Sequence, residues 1–162
     1  MTALAGLVIV ETAERVAGEF AARLLADFGA EVIKIERPGA GDFARGYDER
    51  VRGLASHFVW TNRSKESLTL DLKQDEAGAI LDSLLADADV LVQNLAPGAA
   101  ARMGLSFEAL HARFPRLIVC DISGYGEGGL PDEWRGQPTL QKPFTEAAVR
   151  DALMTAMGLA DV

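Results

Sequence analysis

Three groups of residues carry chemistry by type and spacing. Asn94, Pro97, Gly98, Arg102 and Gly104 begin at the end of the apolar run Val90-Leu91-Val92 and continue into a segment with helix-start signals. Backbone N–H groups at a helix start, with a guanidinium nearby, suit an anion. Lys34, Glu36 and Arg37 crowd the end of a second apolar run, Val32, Ile33 and Ile35. Buried parallel strands run almost purely apolar, and charge massed where a strand leaves an open sheet marks a ligand site. Asn62-Arg63-Ser64-Lys65, with Lys73, is a third basic group, for which a solvated face is the usual explanation of scattered charge. Other chemistry is poorly supported. His57 and His111 lack Cys or carboxylate partners at metal spacing and read as surface or packing residues. Cys120 lies in an apolar run and reads as a buried, inert thiol. Glu36 would suit a ribose, but residues 11–18 hold one glycine, not the fingerprint of a dinucleotide site, and there is no P-loop. Gly124, Gly126, Gly128 and Gly129 form either a flexible loop or a lid over a site.

The elements that must position these groups alternate. Strands are predicted at 6–11, 31–36, 67–71, 89–93 and 117–122. Ala17, Phe20, Ala21, Leu24, Leu25 and Phe28 recur at helical spacing, and Gly29 stops that helix. Residues 37–57, rich in glycine and charge, are predicted as one long loop, a length usually reserved for function or mobility. Asp75 is placed to cap a helix with the stripe Ile80, Leu81, Leu84 and Leu85, and Ser106 to open a short helix with Phe107, Leu110 and Phe114. Strands alternating with helices imply an α/β fold: an open, mostly parallel sheet with helices on both faces. The pattern changes near Leu130. Residues 131–144 read as a proline-bearing linker and 145–158 as one amphipathic helix within a C-terminal segment, 145–162.

The chain has 162 residues, enough for one domain or one domain with an appendage. A net charge of −8 disfavours nucleic acid and anionic membranes as partners, while a phosphorylated small molecule remains compatible with local basic groups. No run reaches the roughly 18 apolar residues of a membrane span. One cysteine and no basic leader ahead of the first apolar run point to a reducing cytoplasm.

Taken together the motifs resemble a known family. Leu4-x-Gly6, Ala17-Gly18, Leu25-Ala26-Asp27, the run Gly29 to Pro38, and Gly41-Asp42 look like the opening of the class III CoA-transferases. These include formyl-CoA transferase, carnitine CoA-transferase and alpha-methylacyl-CoA racemase. The likeness continues through Asn62-x-x-Lys65, Leu70-Asp71-Leu72-Lys73, Ala88 to Asn94, Pro97-Gly98, Arg102-x-Gly104, Pro115 to Ile118 and Ser123 to Gly126. It covers about residues 4–129. The resemblance implies a Rossmann-like part that takes coenzyme A or an acyl-CoA as substrate, together with a small carboxylate, and no covalently bound cofactor or metal. It implies that Val16 and Ala17 approach CoA through the backbone and that Arg37 meets its phosphorylated adenosine end. Leu70, Lys73, Asn94, Leu95 and Arg102 also fall on CoA-contacting positions. Family subunits interlock, so a homo-oligomer or a complementing chain is expected.

Two departures stand out. Glu19 occupies the place of the family's usual proline after Ala-Gly. The family's nucleophilic aspartate lies beyond Ser123-Gly124-Tyr125-Gly126 in a stretch without a counterpart here, so the catalytic residue is unknown and the chain is expected to be truncated and inactive alone. Gln141-Lys142-Pro143-Phe144-Thr145-Glu146 is similar instead to the end of response-regulator receiver domains, with Lys142 at the receiver's lysine; Glu11 alone is an incomplete acidic pair for a receiver. The expected function is the CoA-binding portion of an acyl-CoA:carboxylate CoA-transferase. The alternatives are a non-catalytic CoA- or partner-binding module and a receiver-like signalling module. Neither acyl group nor acceptor acid is legible.

Overall fold

The computed structural model describes residues 2–95 and 98–122, with Ala147, Ala148, Asp151 and Thr155 of the C-terminal segment. The chain divides into two compact units, Met1–Ile122 and Ser123–Val162. In the second, the four described residues are helical, and the Thr155 hydroxyl donates to the Asp151 carbonyl at 2.8 Å. The linker at 131–144, the glycines at 124–129 and the receiver-like motif with Lys142 lie outside the described residues.

The first unit is an α/β layer. Its strands are β1 (Val8–Glu11), β2 (Glu31–Glu36), β3 (Glu66–Thr69), β4 (Val90–Gln93) and β5 (Ile118–Asp121), and its helices α1 (Val16–Asp27), α2 (Ser56–Asn62), α3 (Asp75–Asp87), α4 (Ala99–Arg102) and α5 (Phe107–Arg113). All pairings are parallel, in the order β3-β2-β1-β4-β5. The chain starts at the centre, builds outward through β2 and β3, and returns beside β1 with β4. The β1–β4 junction is therefore the topological switch point, where open sheets of this kind bind ligands at the strands' carboxyl ends.

Alternation of side chains divides the core. On one face Val10, Ile35 and Leu91 pack with Leu81 and Leu85 of α3 and Leu110 of α5. On the other, Ile9, Val32 and Val92 meet Ala22 and Ala26 of α1. Glu11, Lys34 and Glu36 share that second face, two residues apart along their strands, so it is apolar at its amino end and ionic at its carboxyl end.

Several expectations are corrected. The predicted stripe of α1 is not the buried one: Gly18, Glu19, Ala22 and Ala26 face the sheet, while Leu24 and Phe28 are exposed. Small side chains let the helix approach the strands closely; Leu25 packs against that core, and Leu24 and Phe28 turn outward. Asp75 is the first residue of α3 and does not cap it; Gln74 holds the cap position, and Ile80 is exposed. Ser106 does cap α5, its Oγ accepting from Ala109 N at 3.3 Å. The stretch 37–57 is not structureless. Phe43–Gly46 makes a tight helical turn, Val51 bridges Leu54, and Ser56 already belongs to α2. Asp48 organises it by accepting from Ser56 N at 2.8 Å and Ser56 Oγ at 2.6 Å. Cys120 is exposed, because β5 ends the described sheet with its last two residues facing out. His57 packs against Tyr47 and Trp60, and His111 stacks on Phe107. No helix among the described residues is long and apolar enough to cross a membrane.

Candidate functional site

The parallel register sends the carboxyl ends of β1 to β4 to one edge of the sheet. Each residue that the family resemblance places on CoA comes after one of these ends in the chain. Val16 and Ala17 open α1 after β1, and Arg37 follows β2 directly. Leu70 and Lys73 follow β3, Asn94 and Leu95 follow β4, and Arg102 closes α4.

Their availability differs. Val16, Ala17, Lys73 and Arg102 are exposed. Leu70 belongs to the core, so what it can offer at the edge is its backbone; Leu95 packs against the same cluster and is half-buried. Asn94 is occupied. Its Oδ1 accepts from Glu14 N at 2.9 Å and its Nδ2 donates to the Glu14 carbonyl. This two-way clamp joins the turn after β4 to the turn after β1 across the switch point, so Asn94 positions backbone. Arg37 is half-exposed; its Nε donates to the Gly41 carbonyl at 2.7 Å, and its guanidinium lies 3.8 Å from the centre of the Phe43 ring. The guanidinium of Arg15 approaches the same ring at 5.6 Å. Arg15 itself holds φ 70° and ψ 179°, a region almost confined to glycine, at the point where the chain turns from β1 into α1.

Gly18 shows how tightly that turn is built. A Cβ on Gly18 would lie 2.3 Å from the Cβ of Ala13. Gly→Ala in a helix ordinarily stabilises by up to about 1 kcal/mol. Here the sign reverses: Gly18→Ala is expected to cost about 1–3 kcal/mol, the range for overpacking, read as a lower urea midpoint at unchanged slope.

Beneath this edge lies a set of ion pairs that sequence reasoning did not resolve. Lys34, expected at the polar mouth, is buried. Its ammonium donates to the Ala13 carbonyl at 2.9 Å and lies 2.9 Å from Asp42 Oδ2, 3.3 Å from Glu19 Oε1 and 3.4 Å from Glu11 Oε1. Lys65 donates to Glu11 Oε2 at 2.6 Å, to the Glu19 carbonyl at 2.9 Å and to Asn62 Oδ1 at 2.9 Å. Glu36 is also buried and is held by Arg45 Nε and Nη2, both at 2.6 Å, by Ser67 Oγ at 2.6 Å and by Asp42 N at 3.0 Å. Burial alone would raise the Glu36 carboxyl, but the hydrogen bonds from Arg45, Ser67 and the Asp42 amide bring it down to about 2. Burial likewise opposes charge on Lys34, yet Glu11, Asp42 and Glu19 hold its ammonium above the usual lysine range. Of the charges crowding the end of β2, Arg37 alone reaches solvent, with its Nη1 3.9 Å from Glu14 Oε1. The available signal was spacing: Glu11, Lys34 and Glu36 share one face of adjacent strands, where a charge needs an internal partner.

The sequence profile of CoA-transferase family III matches residues 4–158, which extends past residue 129, where the legible motifs end, and includes the segment similar to receiver domains. The formyl-CoA:oxalate CoA-transferase of Afipia carboxidovorans is 42% identical over 131 residues, 80% of this chain and 31% of that protein. The succinyl-CoA:glutarate CoA-transferase of Mus musculus is 37% identical over 158 residues, 97% of this chain and 33% of that protein. Among solved structures, a CAIB/BAIF family protein from Brucella suis superimposes with a TM-score of 0.73 at 31% identity, covering 98% of this chain and 48% of that one. The Rv3272 protein of M. tuberculosis superimposes with a TM-score of 0.73 at 30% identity, covering 96% of this chain and 49% of that one. The chain thus spans about a third of the length of the curated relatives it matches. With a profile match over nearly its whole length and a fold that superimposes on a solved CAIB/BAIF family protein, the chain belongs to CoA-transferase family III.

Proposed function

We propose that this chain forms the CoA-binding part of an acyl-CoA:carboxylate CoA-transferase. What supports the reading is chain order in a parallel sheet: Val16 and Ala17 follow β1, Arg37 follows β2, Leu95 and the segment ending in Arg102 follow β4, flanking the β1–β4 switch point, and Lys73 follows β3. CoA is an anionic nucleotide with a long thin arm. Arg37, Lys73 and Arg102 supply the positive charge its phosphates require, and Leu95 gives an apolar surface. Leu70 contributes backbone and Asn94 holds the turn between them. The named substrates of the relatives support an acyl-CoA and a small carboxylate as the substrate pair. We assign no residue of this chain the covalent step.

Exposed Leu24, Phe28, Val51, Leu54 and Trp60 support association with a second copy or a complementing chain. Proposed surroundings are the cytoplasm, where acyl-CoA and small carboxylates are dissolved.

Isothermal titration of the chain with CoA tests the site. Each well-formed charge-assisted phosphate contact contributes about 1.5–3 kcal/mol. Arg102→Ala is therefore expected to weaken binding about tenfold or more, with high salt weakening it further. Unchanged affinity in the variant, or no binding by the parent chain, overturns the assignment.

A further inference from the structure

Five ionisable side chains meet under the first turn of α1: Glu11 from β1, Glu19 from α1, Lys34 from β2, Asp42 from the loop after β2, and Lys65 just before β3. None has a side chain more than 2% exposed. From α2, Thr61 and Asn62 complete the surroundings. Three carboxylates thus face two ammonium groups, one negative charge in excess, where water cannot compensate it.

The hydrogen bonds locate the imbalance. Both oxygens of Glu11 are taken, Oε1 by Lys34 and Oε2 by Lys65. Asp42 Oδ1 accepts from Ala44 N at 2.7 Å, while Asp42 Oδ2 lies 2.9 Å from Lys34 Nζ but receives no hydrogen bond among the described residues. Glu19 Oε1 faces Lys34, but Glu19 Oε2 is buried and no donor among the described residues reaches it. The Thr61 hydroxyl beside it spends its proton on the His57 carbonyl at 2.9 Å. The remaining neighbour of Glu19 is the Asp42 carboxylate, and two carboxylates form a hydrogen bond only when one of them carries a proton.

The structure assigns Glu19 and Asp42 the sharing of one buried proton, which makes this cluster a pH-sensitive latch on the loop that carries Arg37. With the proton in place, Glu19 donates to Asp42 and the five groups are electrically balanced. When it leaves for solvent, two carboxylates face each other without a bridging hydrogen. Asp42 is the residue that ties the loop down. Its amide donates to Glu36, its Oδ1 holds the Phe43–Gly46 turn, and that turn carries Phe43, against which Arg37 packs. Burial first, and then the contact with Asp42, push the Glu19 carboxyl from 4.5 up to about 7. Asp42 stays below its usual range, since the hydrogen bonds from Glu19 and the Ala44 amide and the charge of Lys34 outweigh its burial. Because Glu19 binds its proton more tightly in the folded chain, the latch is fully closed in mild acid and loosens as pH rises through about 7.

Hydrogen exchange of the loop 38–47 in the parent chain, corrected for the intrinsic effect of pH, tests this. Acceleration of about tenfold between pH 6 and pH 8 is expected, with Glu19→Gln flat across the same range because its amide donates at every pH. A flat parent profile, or a Glu19→Gln profile that tracks the parent, overturns the proposal. Should Glu19→Gln fail to fold, infrared difference spectra of the parent chain decide. A protonated-carboxyl carbonyl band present at pH 6 and lost at pH 8 supports the shared proton; no such band at pH 6 refutes it.

Discussion

Replacing Lys34 with methionine is expected to destabilise the fold by about 3–5 kcal/mol, the cost of removing one partner from a buried ionic set. Methionine fills nearly the same space, so the loss is electrostatic and not a cavity. The ammonium touches Glu11, Glu19, Asp42 and the Ala13 carbonyl, and without it three buried carboxylates keep only Lys65. Since domains are stable by about 5–15 kcal/mol, a large share of the total is at stake. Urea denaturation followed by circular dichroism measures it. Well above pH 7, where Glu19 has given up its proton, adding Glu19→Gln to Lys34→Met should recover part of the loss, because it removes one of the stranded charges; a double variant less stable than the single there would contradict this account of the cluster.

Arg45→Ala is expected to cost about 2–3 kcal/mol near neutral pH and to flatten the acid limb of the stability profile. Glu36 sits 2% exposed and receives both of its shortest charged contacts from Arg45, whose guanidinium also covers the Phe58 ring at 3.8 Å. The folded carboxyl lies at about 2, against 4.5 for the free group. A depressed folded value means that the contribution is complete above 4.5 and is lost as pH falls through about 2. The parent chain should therefore weaken steadily in that window. In Arg45→Ala most of the contribution is already gone at pH 7, so little remains to lose; thermal midpoints from pH 7 down to pH 3 separate the two profiles. An equally steep acid limb in both would show that Arg45 does not hold Glu36 in place.

Much of the architecture was legible along the chain because it follows from short-range periodicity. Apolar runs near residues 8, 32, 68, 90 and 118, separated by helical spacing and glycine stops, specify parallel strands and crossover helices whatever their partners. The edge carrying Arg37, Lys73, Asn94 and Arg102 was legible too, since residues that follow parallel strands must emerge on one side of the sheet. Which of these side chains are free depends on contacts between residues distant in sequence. Asn94 is engaged by Glu14, 80 positions away, and no local pattern foretells that clamp. The inward face of α1 was misread because helical spacing reports where apolar residues recur, whereas close packing on a sheet selects small ones: Gly18, Ala22 and Ala26 went in, Leu24 and Phe28 out. The ionic cluster belongs to the same class of fact. Lys34 reads as a charge at a ligand site until β1, α1 and the loop at Asp42 close around it, because burial, and so the need for a partner, is a property of the assembled layers.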